Sequence, residues 1–176
     1  MKFNIVLVEP EIPQNTGNIS RTCAATGSSL YLVKPLGFEI TDKHLKRAGL
    51  DYWQYLDVHY VDSLDELLNK YYNGKNFHFM STKGSKLYSE ATFNDGDFLV
   101  FGKESHGLPE PLLKKNYSQT LRIPMWGDLR SLNLSNSVAI TLYEALRQNN
   151  FPNLNMQGHL TGRKDYLAVA MSKRSR

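Results

Sequence analysis

The sequence predicts an α/β fold, a single-domain parallel sheet flanked by helices. Three observations carry that reading. Six short runs rich in β-branched and aromatic residues punctuate the 176 residues. Their near-continuous apolar character suits strands covered on both faces, and amphipathic segments alternate with them, as in parallel α/β proteins. A chain of this length forms one ordinary domain and buries roughly 70% of its unfolded surface, enough for a core without disulfides or a structural metal.

The elements follow in order. Residues 3–8 form the first apolar run. Asn15, Gly17 and Asn18 are helix-start residue types, so the first helix is expected over residues 18–26. Residues 30–33 and 58–61 read as the next strands. Ser63, three residues before Glu66, makes a capping box for a helix over 64–72. Strands are expected at 77–80, 98–101 and 121–123, with Pro109 opening a helix between the last two and Pro124 stopping the final strand. The longest helix, 133–148, carries Leu134, Val138, Leu142 and Leu146 at four-residue spacing along one stripe. After Phe151-Pro152-Asn153 the chain turns Asn/Gly-rich and then basic. The expected organisation is a domain over 1–152 and a loosely held basic tail over 153–176.

Charge is informative once divided. Of 21 basic and 17 acidic residues, five and one lie after residue 150, so sixteen of each sign remain in the body and the net +4 belongs to the tail. A polyanion site on the body must come from local clusters such as Lys43, His44, Lys46 and Arg47. A lone cysteine cannot pair within the chain, which fits a reducing compartment. Cys23 sits in an apolar helical stretch without a neighbouring histidine, as core filler does. No run approaches the roughly 20 apolar residues of a membrane span, and residues 1–10 lack the small-residue cleavage site of a signal peptide. The expectation is a soluble, cytoplasmic protein. Gly102-Lys103 is followed by Glu104, so there is no Walker loop, and GxGxxG and GxSxG are absent. The five histidines never pair at helical spacing, so no metal site is expected.

Three segments exceed what scaffold requires. The first runs from Glu9 to Cys23 and places Arg21 one turn into the expected helix, near the carboxyl end of the first strand, where open α/β sheets bind ligands. Its guanidinium fork suits a phosphate or a developing oxyanion. In the second, 98–109, glycines at both ends of the turn permit close backbone approach to a ligand. In the third, 121–138, Ser131, Asn133, Ser135 and Asn136 crowd the start of the longest helix, more polar groups than one cap needs.

These residues carry a family likeness. Asn15-Thr-Gly-Asn-Ile-Ser-Arg21, Phe101-Gly-Lys-Glu-Ser-His-Gly107 and Ile123-Pro-Met through Ser131-Leu-Asn-Leu-Ser-Asn136 resemble, in order, the three motifs of the SPOUT class of RNA methyltransferases. With Glu9-Pro-Glu-Ile-Pro13 and Arg47-Ala-Gly-Leu-Asp-Tyr52, the chain is most similar to the small tRNA (cytidine/uridine wobble) 2′-O-methyltransferase family over about residues 3–152. The resemblance implies a carboxyl-terminal trefoil knot (an alpha-beta knot), an S-adenosyl-L-methionine site within it, and a homodimer. By carry-over, Met80, Gly102, Ile123, Ser131, Leu132 and Asn136 surround the cofactor, Arg21 is catalytic, and Asn15, Ser135 and Tyr143 shape the RNA side. Lys43 and Arg47, beside Tyr52, Trp53 and Tyr55, would meet the phosphates and bases of a tRNA anticodon loop. The implied reaction is methylation at tRNA position 34, in leucine tRNAs. The alternatives are another tRNA position, rRNA, or a non-catalytic RNA-binding knot protein.

Overall fold

A computed structural model of the chain describes residues 1–39, 56–158 and 160. Seven strands form one sheet in which every pairing is parallel: β1 (Asn4–Val8), β2 (Ser29–Val33), β3 (Val58–Val61), β4 (Phe77–Met80), β5 (Lys86–Leu87), β6 (Phe98–Phe101) and β7 (Thr120–Arg122). The spatial order is β3-β2-β1-β6-β4-β7-β5. The helices are α1 (Pro13–Thr26), α2 (Leu64–Tyr71), α3 (Glu110–Lys115) and α4 (Leu134–Gln148).

Because side chains alternate across a strand, each central strand feeds two cores. Ile5, Leu7, Leu30, Leu32, Leu99 and Phe101 point to the face covered by Ile19 and Cys23 of α1 and by Val138, Leu142, Ala145 and Leu146 of α4. Val6, Val8, Tyr31, Val33, Phe77, Phe79 and Val100 point to the other, covered by Leu67 of α2 and Leu113 of α3. That double burial is why these runs read as continuously apolar. Burial also pushes the Cys23 thiol up to about 12, so it is inert core.

The expected strands are all present, with limits moved by at most one residue. The first helix corrects the sequence reading. It begins at Pro13, not residue 18, so Asn15, Gly17 and Asn18 lie inside it. Proline is well suited to the first helical turn because its missing N–H would have no partner there. Ile12 occupies the N-cap with no side-chain cap of its own. Arg21 consequently stands about two turns into the helix, roughly 12 Å along its axis at 1.5 Å per residue. The Ser63 cap is as expected, its side chain accepting from the Glu66 amide. The short edge strand β5, with both residues exposed, has no apolar signature in the sequence.

Candidate active site

The carboxyl ends of β4, β6 and β7 open into a cavity of about 620 Å³. Met80 and Ser81 follow β4, Gly102 to Leu108 follow β6, and Ile123 and Met125 follow β7. Arg130 to Leu134 close it from the chain entering α4, while Ile12 and Asn15 reach it from α1. One wall is apolar, from Met80, Phe101, Leu108, Ile123 and Leu132. The other presents hydroxyls, amides and main chain.

The turn after β6 is locked to the β1–α1 loop by reciprocal polar bonds. Lys103 Nζ pairs with Glu9 Oε2 at 2.8 Å, which holds the lysine pKa above its ordinary value. Glu9 itself takes a left-handed φ of 50°, unusual for this residue type. Glu104 accepts from the amides of Glu11 (2.8 Å) and Ile12 (3.3 Å) and from Asn15 Nδ2 (2.9 Å). Glu104 thereby ties the residues just before α1 to the turn after β6, while the Asn15 and Thr16 amides of the helix bond to the Ile12 carbonyl at 3.1 and 3.3 Å. Asn15 is buried, and its Oδ1 accepts from Asn133 Nδ2 at 2.9 Å. Asn133 is the N-cap of α4, its Oδ1 accepting from the Ser135 and Asn136 amides and the Ser135 hydroxyl. One chain of bonds, Glu104 to Asn15 to Asn133, therefore ties the three segments together.

Gly102 is required by contact. A Cβ there would lie 2.0 Å from the Gly107 carbonyl carbon and 2.2 Å from the Leu108 nitrogen. The turn closes through the Gly107 amide bonded to the Lys103 carbonyl (2.8 Å), with Gly107 at φ +70°. Only glycine fits the first position, and the second favours it.

The structure sorts the predicted site residues. Met80, Gly102, Ile123, Ser131 and Leu132 line the cavity, and so does Asn15. Asn136, Ser135 and Tyr143 lie on α4 outside that wall. Arg21 is exposed on α1 and is not among the lining residues. Lys43 and Arg47, with Tyr52, Trp53 and Tyr55, lie outside the described residues. The surplus of polar groups before α4 proves smaller than the sequence reading expects. The Asn133 side chain is spent on capping the main-chain amides of Ser135 and Asn136, and the Ser135 hydroxyl donates to the same Asn133 oxygen. Ser131 is the one of the four that remains in the wall without a capping role. Sequence reasoning missed Glu104 as the organising group, because its partners are some 90 residues away and leave no local pattern.

The cavity suits an amphiphilic, nucleotide-sized ligand in volume and lining. The fold and this cavity define a parallel α/β protein with a ligand-sized opening beyond the carboxyl ends of its central strands, where open sheets of this kind bind ligands. The sequence matches the SpoU rRNA Methylase family over residues 2–143, and the chain belongs to that family of methyltransferases. It is similar to the tRNA (cytidine(34)-2′-O)-methyltransferase of Saccharophagus degradans, with 49% identity over 150 residues covering 85% of this chain and 97% of the relative. A solved structure titled for the 2-OH methylation of C/U34 on tRNA superposes with TM-score 0.80 at 46% identity, covering 85% of this chain and 97% of that one. An AdoMet-bound rRNA methyltransferase from Sinorhizobium meliloti superposes with TM-score 0.73 at 25% identity, covering 83% and 56%. Among the described residues no helix is long and apolar enough to cross a membrane, and no group of three or more His, Cys, Asp or Glu is placed to hold a metal.

Proposed function

We propose that this protein is an S-adenosyl-L-methionine-dependent 2′-O-methyltransferase acting on the cytidine or uridine at the wobble position, 34, of tRNA, with leucine tRNAs as substrates. The observation that carries the reading is the cavity itself, assembled from all three family motifs. The relatives named for this reaction match over nearly their whole length.

The residues present fit the cofactor. The close approach of main chain at Gly102, where a Cβ would strike the Gly107 backbone, leaves peptide groups at the cavity surface for polar recognition. Met80, Ile123 and Leu132 offer an apolar wall for a flat base, and Ser131 a hydroxyl. When bound, S-adenosyl-L-methionine supplies an electrophilic methyl group. The protein's task would be to hold the ribose 2′-oxygen in line with that methyl group and to stabilise the charge that develops as the hydroxyl gives its proton to solvent water. Arg21 serves the second task by bonding the adjacent phosphate or the incipient alkoxide. A guanidinium keeps its proton at neutral pH and is a poor base, so the role is electrostatic.

The Glu104–Asn15–Asn133 chain keeps α1, which carries Arg21, in fixed relation to the wall that carries Ser131. Ser135 and Tyr143, on the outer side of α4, face the RNA in this reading, as do the more distant Lys43 and Arg47. Insertion of β7, late in the chain, between β4 and β5 supports a polypeptide threaded through its own earlier loop, the trefoil knot of the SPOUT class. A homodimer, a cytoplasmic setting and a basic tail after residue 152 complete the proposal.

The test is Arg21→Ala. Turnover on tRNA should fall about 100-fold or more, the loss of several kcal/mol of transition-state stabilisation. Calorimetric affinity for S-adenosyl-L-methionine should be nearly unchanged. Near-normal turnover would remove Arg21 from the mechanism, and absence of cofactor binding by the unaltered protein would favour an RNA-binding knot protein without chemistry.

A further inference from the structure

Ser105 and His106 lie in the turn after β6, and the proposed reaction leaves both without a role. The Ser105 hydroxyl donates to Glu11 Oε1 at 2.8 Å, and the Ser105 amide donates to Glu11 Oε2 at 2.9 Å. These two bonds hold the Glu11 carboxyl below the usual carboxylate range, so at neutral pH it is an anion and accepts only. A hydroxyl has a single proton. With that proton committed to Glu11, the Ser105 oxygen is an acceptor towards His106 Nδ1, 2.7 Å away. Nδ1 must therefore carry the hydrogen, an assignment made from the bonding network.

Only Nε2 is then available to a ligand, and its character is binary. In the neutral ring it is a lone pair, which repels another acceptor. In the imidazolium it is a cationic N–H donor. His106 is exposed and lines the cavity. A phosphate oxygen accepts but never donates, so it distinguishes the two states completely.

We propose that His106 is a proton-gated contact for a backbone phosphate of the RNA, aimed at the cavity mouth by the Ser105–Glu11 pair. The inference rests on the RNA substrate proposed above. The charged groups around the ring agree with it. From the β1–α1 loop come Glu9 and Glu11, and from the ring's own turn Lys103 and Glu104. Lys83 and Arg130 stand elsewhere on the cavity wall. Lys103 is occupied by Glu9, Glu104 by the amides of the α1 start, and Lys83 by Glu110. Among the described residues lining the cavity, Arg130 and protonated His106 are the cations without a carboxylate salt bridge. RNA approaching the mouth thus meets one permanent cation and one that depends on pH.

The test measures the affinity of the whole protein for an anticodon stem-loop RNA by fluorescence anisotropy from pH 5.5 to 8.5 at fixed ionic strength. Circular dichroism and thermal unfolding are measured in parallel to verify each variant's fold. The unaltered protein should bind about three- to tenfold more tightly at the acid end, the size of one exposed charge-assisted contact. Its salt dependence should steepen there by about 0.7 in log–log slope. His106→Ala should bind weakly and without that pH response. His106→Arg should bind tightly at every pH, and Ser105→Ala, which frees the ring, should blunt the response. RNA binding with no pH response, or an unchanged response in His106→Ala, overturns the gate while leaving the substrate reading intact. A pH effect that His106→Ala removes from turnover alone, with affinity unmoved, also overturns it and makes the ring a base for the ribose hydroxyl. Failure of the unaltered protein to bind the RNA at any pH ends the substrate reading, and this proposal with it.

Discussion

Replacing Glu104 by alanine tests whether one carboxylate holds the site together. Three donors lose their acceptor: the Glu11 amide at 2.8 Å, the Ile12 amide at 3.3 Å and Asn15 Nδ2 at 2.9 Å. The Ile12 amide bond is long and lies at an exposed residue, so water replaces it at little cost. The Glu11 bond is charge-assisted and half-buried, contributing about 1 kcal/mol net. Asn15 is only 5% exposed, so its amide is stranded, costing about 1–3 kcal/mol. Together the loss is about 2–4 kcal/mol, which lowers the melting temperature of a domain this size by roughly 5–15 °C. The bond from Asn133 to Asn15 adds a second signature. Glu104→Ala and Asn133→Ala act on one network, so their effects should fall short of additivity by about 0.5 kcal/mol or more. Urea and thermal unfolding followed by circular dichroism read both quantities. A melting temperature within 1 °C of the unaltered protein, or strict additivity with Asn133→Ala, would refute the bracing role.

Two further predictions follow from local geometry. Gly102→Ala forces main chain apart at a 2.0 Å contact. It should destabilise the fold by about 1–3 kcal/mol and lower calorimetric affinity for S-adenosyl-L-methionine at least tenfold, and normal affinity would mean that Gly102 does not shape the cofactor wall. Asp57 accepts from Lys2 Nζ, the Ser29 hydroxyl and His59 Nε2, and these bonds depress its carboxyl from 3.8 to about 2. A depressed carboxylate pKa contributes stability above its unfolded value that is lost as pH falls, so this contribution is complete above pH 4 and disappears between about 4 and 2. Asp57→Asn should flatten that part of the stability profile in acid-denaturation titrations. An unchanged acid limb would show that the bonds do not bias the carboxyl.

The strands were legible because the sheet is buried on both faces. Runs such as 98–101 are apolar at every position, and each residue packs into one of the two cores. The same logic explains what was not legible. Lys86 and Leu87 of β5 face solvent at the sheet edge, so nothing selects for apolar residues there. α1 starts five residues before the expected position because Ile12 has no capping side chain to mark the start, and the Glu104 bonds that hold the amides just before it come from across the fold. Strand order follows the same rule: β1 lies beside β6, whose residues are more than 90 positions later, and no local pattern encodes that pairing. At the site, Gly102, Ile123 and Ser131 were visible as turn glycines, strand ends and polar clusters. The division of labour among Asn133, Ser135 and Asn136 was not, because a cap and a ligand contact use the same residue types. The resemblance to the SPOUT motifs carried the functional reading, and the physical reading of the residues stopped at a ligand pocket.

The most direct measurement of the central claim is mass spectrometry of nuclease-digested tRNA incubated with the protein, with and without S-adenosyl-L-methionine. The account predicts one added methyl group on the ribose of the nucleoside at position 34, present only with the methyl donor and lost in Arg21→Ala. A methyl group on a base, at any other position, or none at all would contradict it.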